Sequence, residues 1–124
     1  MALERGKLTE VITLGIGQTV AAVTVASNKK IYVKSIMCHA PYSGVSSSTA
    51  QVYMVPNNGG SAGTASTSNQ IFNVDVYAGE TVLIEPSYPL VLDATGDSLE
   101  VGTYFVAGLG ATHVNFMITG DKEA

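Results

Sequence analysis

Apolar and polar residues alternate along much of this chain with a period of two. Gln70–Val76 shows the pattern most strictly: Phe72, Val74 and Val76 fall on one side, Asn73 and Asp75 on the other. This is the signature of a half-buried β-strand. Leu99–Val106 repeats it with Leu99, Val101, Thr103 and Phe105 on one face, and Val114–Thr119 points Val114, Phe116 and Ile118 inward. Ile31–Ala40, IYVKSIMCHA, is the longest strand-like run and the expected centre of the fold. Its β-branched and aromatic residues suit a pleated, half-buried surface, and Pro41, which lacks an N–H for a ladder, ends it. Strict alternation puts Ile31, Val33 and Met37 on one face of this strand and Tyr32, Lys34, Ile36 and Cys38 on the other.

Shorter runs fill in the pattern. Thr49–Val55 sets Ala50, Val52 and Met54 against Gln51 and Tyr53; Thr81–Glu85 presents Val82 and Ile84; Leu90-Val91-Leu92 is a short apolar step. Lys7–Leu14 alternates loosely, Gly15-Ile16-Gly17 interrupts it, and Gln18–Val25 is cleaner. These two runs read as a hairpin leading into the central strand. Ser27-Asn28-Lys29-Lys30, Ala78-Gly79-Glu80 and Asp93-Ala94-Thr95-Gly96-Asp97 are turn chemistry, and Tyr88-Pro89 is a candidate cis bond. Asn57–Asn69 has almost nothing to bury and reads as an exposed loop. Met1–Gly6 reads as an arm or frayed end and Gly120–Ala124 as a polar tail.

Turn signals thus recur about every 8–12 residues, and no 3.6-residue period of useful length appears. The expected fold is all-β: a single-domain β-sandwich of about eight antiparallel strands, jelly-roll or Ig-like, with a barrel as the alternative. The expected division is residues 1–14 as an N-terminal arm or first strand and residues 15–124 as the sandwich domain.

Composition narrows the function. Charged residues are 13 % of the 124, and the formal net charge is −4 with only six Lys and Arg. A nucleic-acid binder needs clustered cations to displace counterions, so nucleic acid is not an expected partner. So little charge fits either a neutral surface of Ser, Thr and Asn or a surface largely covered by copies and partners, since interface cores are depleted of charge. No run of about 20 apolar residues is present for a membrane helix, and Met1–Arg5 is too polar for a signal peptide. Synthesis in a cytoplasm without membrane association is expected. Cys38 is alone, so no intrachain disulfide forms.

Catalytic and metal-binding patterns are weak. Cys38 and His39 are strand neighbours that face opposite sides and cannot jointly form a dyad or hold one metal without distortion; only His113 offers Cys38 another partner. Asp93, Asp97 and Glu100 surround a glycine turn and supply calcium-type oxygens, but match no EF-hand spacing, and Asp and Gly are also what a tight turn requires. Gly15-Ile16-Gly17 and Gly108-Leu109-Gly110 do not link a strand to a helix, as a dinucleotide site needs. Gly59-Gly60-Ser61-Ala62-Gly63 has the Gly-x-Ser-x-Gly spacing, but no helical pattern follows it, so it makes no nucleophile elbow. Asp75, Glu80 and Glu85 look like solvated strand edges rather than a glycosidase pair, and the absence of tryptophan removes the commonest sugar-stacking platform. The expectation is a non-enzyme with no cofactor and no metal.

Four pieces in one order carry a resemblance: Ile31-Tyr32-Val33-Lys34-Ser35-Ile36; Val52-Tyr53-Met54-Val55-Pro56 with the Gly59-Gly60-Ser61-Ala62-Gly63-Thr64 loop; Ala78-Gly79-Glu80-Thr81 ahead of Leu90-Val91-Leu92 and Gly96-Asp97-Ser98-Leu99; and Val114–Gly120. Over residues 30–120 the chain resembles the small β-sandwich virion structural proteins of tailed bacteriophages, found as capsid decoration (cement) proteins and as small tail or baseplate components. The resemblance implies a non-enzymatic, repeated shell component of the virion. The favoured expectation is a homo-oligomer, a trimer first, on the capsid surface, bridging subunits of the major capsid protein. A tail, neck or baseplate component and a host-glycan-binding sandwich are the alternatives. Contacts are expected from the N-terminal segment (Leu3, Arg5, Leu8, Val11), from Asn57 and Asn58, and from Tyr42, Tyr53, Tyr77 and Tyr104 as exposed aromatics. Half-buried strand positions are the other reading of these tyrosines.

Overall fold

The computed structural model describes residues 3–15, 17–41, 47–104 and 113–123. Its strands are β1 (Leu3–Lys7), β2 (Ile12–Leu14), β3 (Thr19–Thr24), β4 (Ile31–His39), β5 (Ser47–Val55) and β6 (Asn57–Asn58), followed by β7 (Ser61–Ala62), β8 (Gln70–Tyr77), β9 (Thr81–Ile84), β10 (Leu90–Leu92), β11 (Ser98–Tyr104) and β12 (Val114–Glu123). All described pairings are antiparallel.

Two sheets face each other. In the first, here sheet A, β12 and β4 are central; β1 and β2 lie end to end along β12, and β9 and β10 lie end to end along β4. In sheet B the order is β3-β11-β5-β8. Counting β1 with β2 as one interrupted strand and β9 with β10 as another leaves eight long strands. In chain order they run 1-8-3-6 in one sheet and 2-7-4-5 in the other. This is the jelly-roll order, two interleaved Greek keys, and not the Ig-like one. The small β6–β7 ribbon stands apart.

The core fills the space between the sheets. Sheet A contributes Val33, Ile36, Cys38, Val114, Phe116 and Ile118, and sheet B contributes Ala50, Val52, Val76, Leu99 and Val101, all with no exposed surface. The strict alternations read from the sequence hold in β8 and β11: Phe72 and Val74 are half-buried and Val76 buried, as are Leu99, Val101 and Thr103. Phe105 lies outside the described residues.

Three expectations change. β4 does not alternate throughout. Thr119 pairs with Ser35 but Gly120 with Val33, so Lys34 is the extra residue of a β-bulge. One extra residue shifts the side-chain parity. Ile31 and Val33 therefore face the core before the bulge and Ile36 and Cys38 after it, and Met37 turns outward with 38 % exposure. The bulge depends on Gly120, where any Cβ would overlap the carbonyl oxygen of Tyr32. Second, the N-terminal runs do not form a hairpin: β2 pairs with β12 in sheet A and β3 with β11 in sheet B. Between them Thr103 holds the chain, its N–H donating to Gln18 O at 2.9 Å and its hydroxyl to Gly15 O. Third, the polar tail is strand. Gly120–Glu123 continue β12 and pair with both β1 and β4. The Tyr88–Pro89 bond is trans, as are all described peptide bonds.

Candidate functional site

The outer face of sheet A carries an organised surface. The register brings its outward residues into cross-strand rows. At one end Thr13, Asn115, His39 and Thr81 form a polar row. The Thr13 hydroxyl donates to Asn115 Oδ1 at 2.7 Å, and His39 Nδ1 shares a hydrogen bond with Thr81 Oγ1 at 2.8 Å. The next row is apolar: Met117 opposes Met37, which opposes Leu83. Val11 flanks it, and a shallow groove of about 250 Å³ runs between Val11, Met37, Met117 and the polar row. Val11 is 58 % exposed and Leu83 50 %. Below lies a second polar step, where the Ser35 and Thr119 hydroxyls share a hydrogen bond. An apolar strip bounded by polar groups that satisfy one another is the composition of a contact surface, a dry centre with a polar rim.

The far end of the same face is charged and closed. Arg5, Asp121, Tyr32 and Val91 stand in one row. Asp121 is only 5 % exposed. Lys34, displaced outward by the bulge, reaches its Oδ2 at 2.7 Å, and Arg5 Nε approaches Oδ1 at 3.4 Å. The hydrogen bond from Lys34 holds the Asp121 carboxyl below its usual range, against a smaller opposing effect of burial. β1 is thus tied to β12 by its ladder and by Arg5, with Glu4 and Lys122 3.8 Å apart alongside.

Sheet B treats its outer face differently. Tyr53 lies opposite Glu100 and is 9 % exposed, as is Glu100. The Tyr53 hydroxyl donates to Gln51 Oε1 at 2.9 Å and accepts from Gln70 Nε2 at 3.2 Å. Beside it the β6–β7 ribbon folds back. A Cβ on Gly63 would stand 2.6 Å from the Pro56 carbonyl oxygen, and one on Gly96 2.6 Å from the Ser61 carbonyl oxygen, so both glycines permit close backbone approach.

The expected contact residues separate on this frame. Leu3 (54 %), Val11 and Tyr77 (59 %) are exposed, as are Arg5, Asn57 and Asn58. Tyr53 is a correction: it is buried by its own sheet. Leu8 is half-buried and packs on the core. Tyr42 and the Tyr104 side chain lie outside the described residues. Sequence reasoning missed Met37, Leu83 and Met117, because the bulge that aligns them leaves no mark in the alternation.

The candidate chemistry is absorbed by structure. Cys38 is fully buried, and burial pushes its thiol up to about 12, so it is a core side chain with no thiolate to offer at neutral pH. Asp97 caps its turn: Oδ1 accepts from Asn57 N (3.0 Å) and Nδ2 (3.3 Å), Oδ2 from Ala94 N (3.1 Å) and Asp93 N (3.4 Å). Burial pushes the Asp97 carboxyl up, but these donors outweigh it and hold it below its usual range. Four N–H groups fill the oxygens a cation would need. Glu80 Oε1 accepts from Tyr77 N across the β8–β9 turn. Among the described residues no three His, Cys, Asp or Glu side chains gather as a metal site.

No protein-family model matches the chain. No curated protein matches it either. Solved structures align along most of its length at low identity. The crystal structure of the infectious bursal disease virus VP2 subviral particle aligns at 13 % identity and a TM-score of 0.47, covering 98 % of this chain and 32 % of that one. The infectious bursal disease virus Gx strain structure aligns at 10 % identity and 0.44, covering 98 % and 35 %. The giant freshwater prawn Macrobrachium rosenbergii extra small virus (XSV) VLP aligns at 10 % and 0.35, covering 96 % and 80 %. The chain spans about a third of the length of the first of these.

Proposed function

We propose that this protein is a non-enzymatic structural subunit of a bacteriophage virion, a decoration (cement) protein on the capsid surface. In this reading it works as a homo-oligomer, a trimer first, and bridges subunits of the major capsid protein. The observation that carries the proposal is the apolar row Leu83–Met37–Met117 with Val11, left open on a jelly roll whose other chemistry is taken up internally. The order of motifs shared with small phage virion proteins supports the same reading, as does the low charge. A repeated shell component gains affinity by multiplying modest contacts across linked copies. Leu3 and Arg5 on β1, Asn57 and Asn58 in the ribbon, and Tyr77 at the end of β8 would supply the surrounding contacts.

The test is co-sedimentation of the purified protein with phage capsids lacking it, for the native chain and for Met37→Lys/Leu83→Lys. Burying two lysines in a dry contact removes its centre, so capsid occupancy falls at least about tenfold in apparent affinity. Equal binding by both chains overturns the apolar row as the contact. Particle imaging that finds the chain on the tail overturns the decoration reading.

A further inference from the structure

Sheet edges expose unpaired N–H and C=O groups, and proteins protect them with charge, brevity or bulges. The edges of this sandwich can be compared one by one. β1 carries Glu4, Arg5 and Lys7 in five residues. β9 and β10 are four and three residues long. β3 has no charge, but a bulge at Ala22 interrupts its middle, where Leu99 pairs with Val23 and Glu100 with Ala21. β8 is the least defended of them. It runs eight residues, carries Asp75 as its one charge, pairs among the described residues with β5 alone, and has its bulge near its start, at Ile71. Ile71 is 47 % exposed and Tyr77 59 %, one near each end.

The sequence of β8 also complements itself. In an isologous pair the two-fold axis makes residue i of one strand face residue j of the other and the reverse. Opposed residues must share a sheet face, so the axis passes through a residue. An axis at Asp75 would set two carboxylates against each other, a destabilising pair. An axis at Asn73 would set Ile71 against Asp75. An axis at Val74 sets Asn73 against Asp75, Phe72 against Val76, and Ile71 against Tyr77, each twice. Amide meets carboxylate and apolar meets apolar throughout.

We infer that β8 pairs antiparallel with β8 of a second copy of this chain about Val74, joining two B sheets into one continuous sheet. On the outer face Asn73 meets Asp75 across the junction, at the carboxylate oxygen other than the Oδ1 to which Thr49 donates at 3.1 Å, and the ladder supplies main-chain hydrogen bonds. Being two-fold, this contact cannot close a trimer, so in the proposed assembly it joins chains of neighbouring trimers, and it rests on that reading for its place in a particle. The contact itself needs no capsid.

The experiment is sedimentation velocity of the full chain over about 1–300 μM, the range of small, weak interfaces. The native chain associates in pairs through β8 as its concentration rises. Asn73→Asp creates two carboxylate pairs and weakens the dimer about fivefold, while Asn73→Lys creates two attractive pairs and tightens it about fivefold. Asn73 is exposed, so both variants fold. Under oxidation, a mixture of Asn73→Cys and Asp75→Cys chains cross-links faster than either alone, and buried Cys38 stays out of the reaction. A native chain that is monomeric throughout overturns the inference, as does a dimer that both Asn73 variants leave unchanged. Dimerisation without capsid binding sinks the virion reading and leaves this contact standing; capsid binding by a chain that never dimerises does the reverse.

Discussion

The two sheets share one core but place their irregularities in different positions, and their outer faces differ accordingly. Sheet B has its bulges in the edge strands, at Ala22 of β3 and Ile71 of β8. Its central pair, β11 and β5, stays in regular register, and it covers its outer face with Tyr53. Sheet A has its bulge in the central pair, at Lys34 opposite Thr119–Gly120. That one extra residue turns Met37 outward beside Met117 and Leu83 and brings Lys34 to Asp121. A bulge at an edge relieves twist or spoils an edge; a bulge at the centre decides what a whole face presents. The apolar row and the charged corner of sheet A share this one origin.

The largest effect should come from closing the space the central bulge needs. Gly120→Ala puts a methyl group onto the Tyr32 carbonyl, a backbone atom that cannot swing aside. The expected loss is about 3 kcal/mol of stability, the upper part of the range for overpacked sites. Denaturant unfolding measures it. Hydrogen exchange should show β4 and β12 losing protection while β5 and β11 keep theirs. A loss within about 0.5 kcal/mol, the ordinary scatter of surface changes, would mean that the bulge is not constrained here.

The next effect tests how dry the interior under sheet A is. The Cys38 thiol is raised from 9.0 to about 12 by burial. Between those values the unfolded chain loses this proton and the folded chain keeps it. Stability from the neutral thiol is therefore complete below about 9 and declines as pH rises toward 12, by at most about 1.4 kcal/mol per pH unit. Tyrosines and lysines also titrate there, so the measurement is a difference: unfolding free energy at pH 8 and pH 10 for the native chain and for Cys38→Val. The native chain should lose more. Parallel slopes would show that water reaches the thiol.

Much of the architecture is legible in the residues because period-two patterning and turn chemistry are local. β8, β11 and the first part of β12 are visible as alternations, and the density of turn signals points to a sandwich. Three things are not local. The bulge at Lys34 is invisible because IYVKSIMCHA alternates acceptably in either parity; only the close approach of Gly120 to Tyr32, from the far end of the chain, selects one. Gly120–Glu123 looks like a tail because its polar residues find partners, Arg5, Lys34 and Glu4, at large sequence separations. β2 and β3 look like a hairpin because adjacency in sequence is the default, whereas the jelly roll sends them to opposite sheets. The proposed contact surface follows the same rule. Exposed Tyr77 and Val11 could be named from sequence, but the row through Met37 exists only once the register is known.

The smallest effect separates the two outer faces directly. Tyr53 is aromatic and was expected in a contact, yet it serves its own sheet: Gln70 donates to its hydroxyl and the hydroxyl donates to Gln51. Tyr53→Phe keeps the ring and removes both hydrogen bonds, leaving the two amides to find water at a half-buried site. The expected cost is about 1 kcal/mol, two part-buried bonds each at the low end of the usual net value of about 0.5–1.5 kcal/mol. Met37→Ala on the other face removes a side chain that is 38 % exposed and should cost less than a core truncation, with its main effect on binding. The discriminating readout is therefore the pair of measurements on each variant. Tyr53→Phe should lower stability and leave capsid binding unchanged, and Met37→Ala should weaken binding more than it lowers stability. If Tyr53→Phe instead weakens binding at unchanged stability, the outer face of sheet B is the docking face, and the assignment of the two faces must be exchanged.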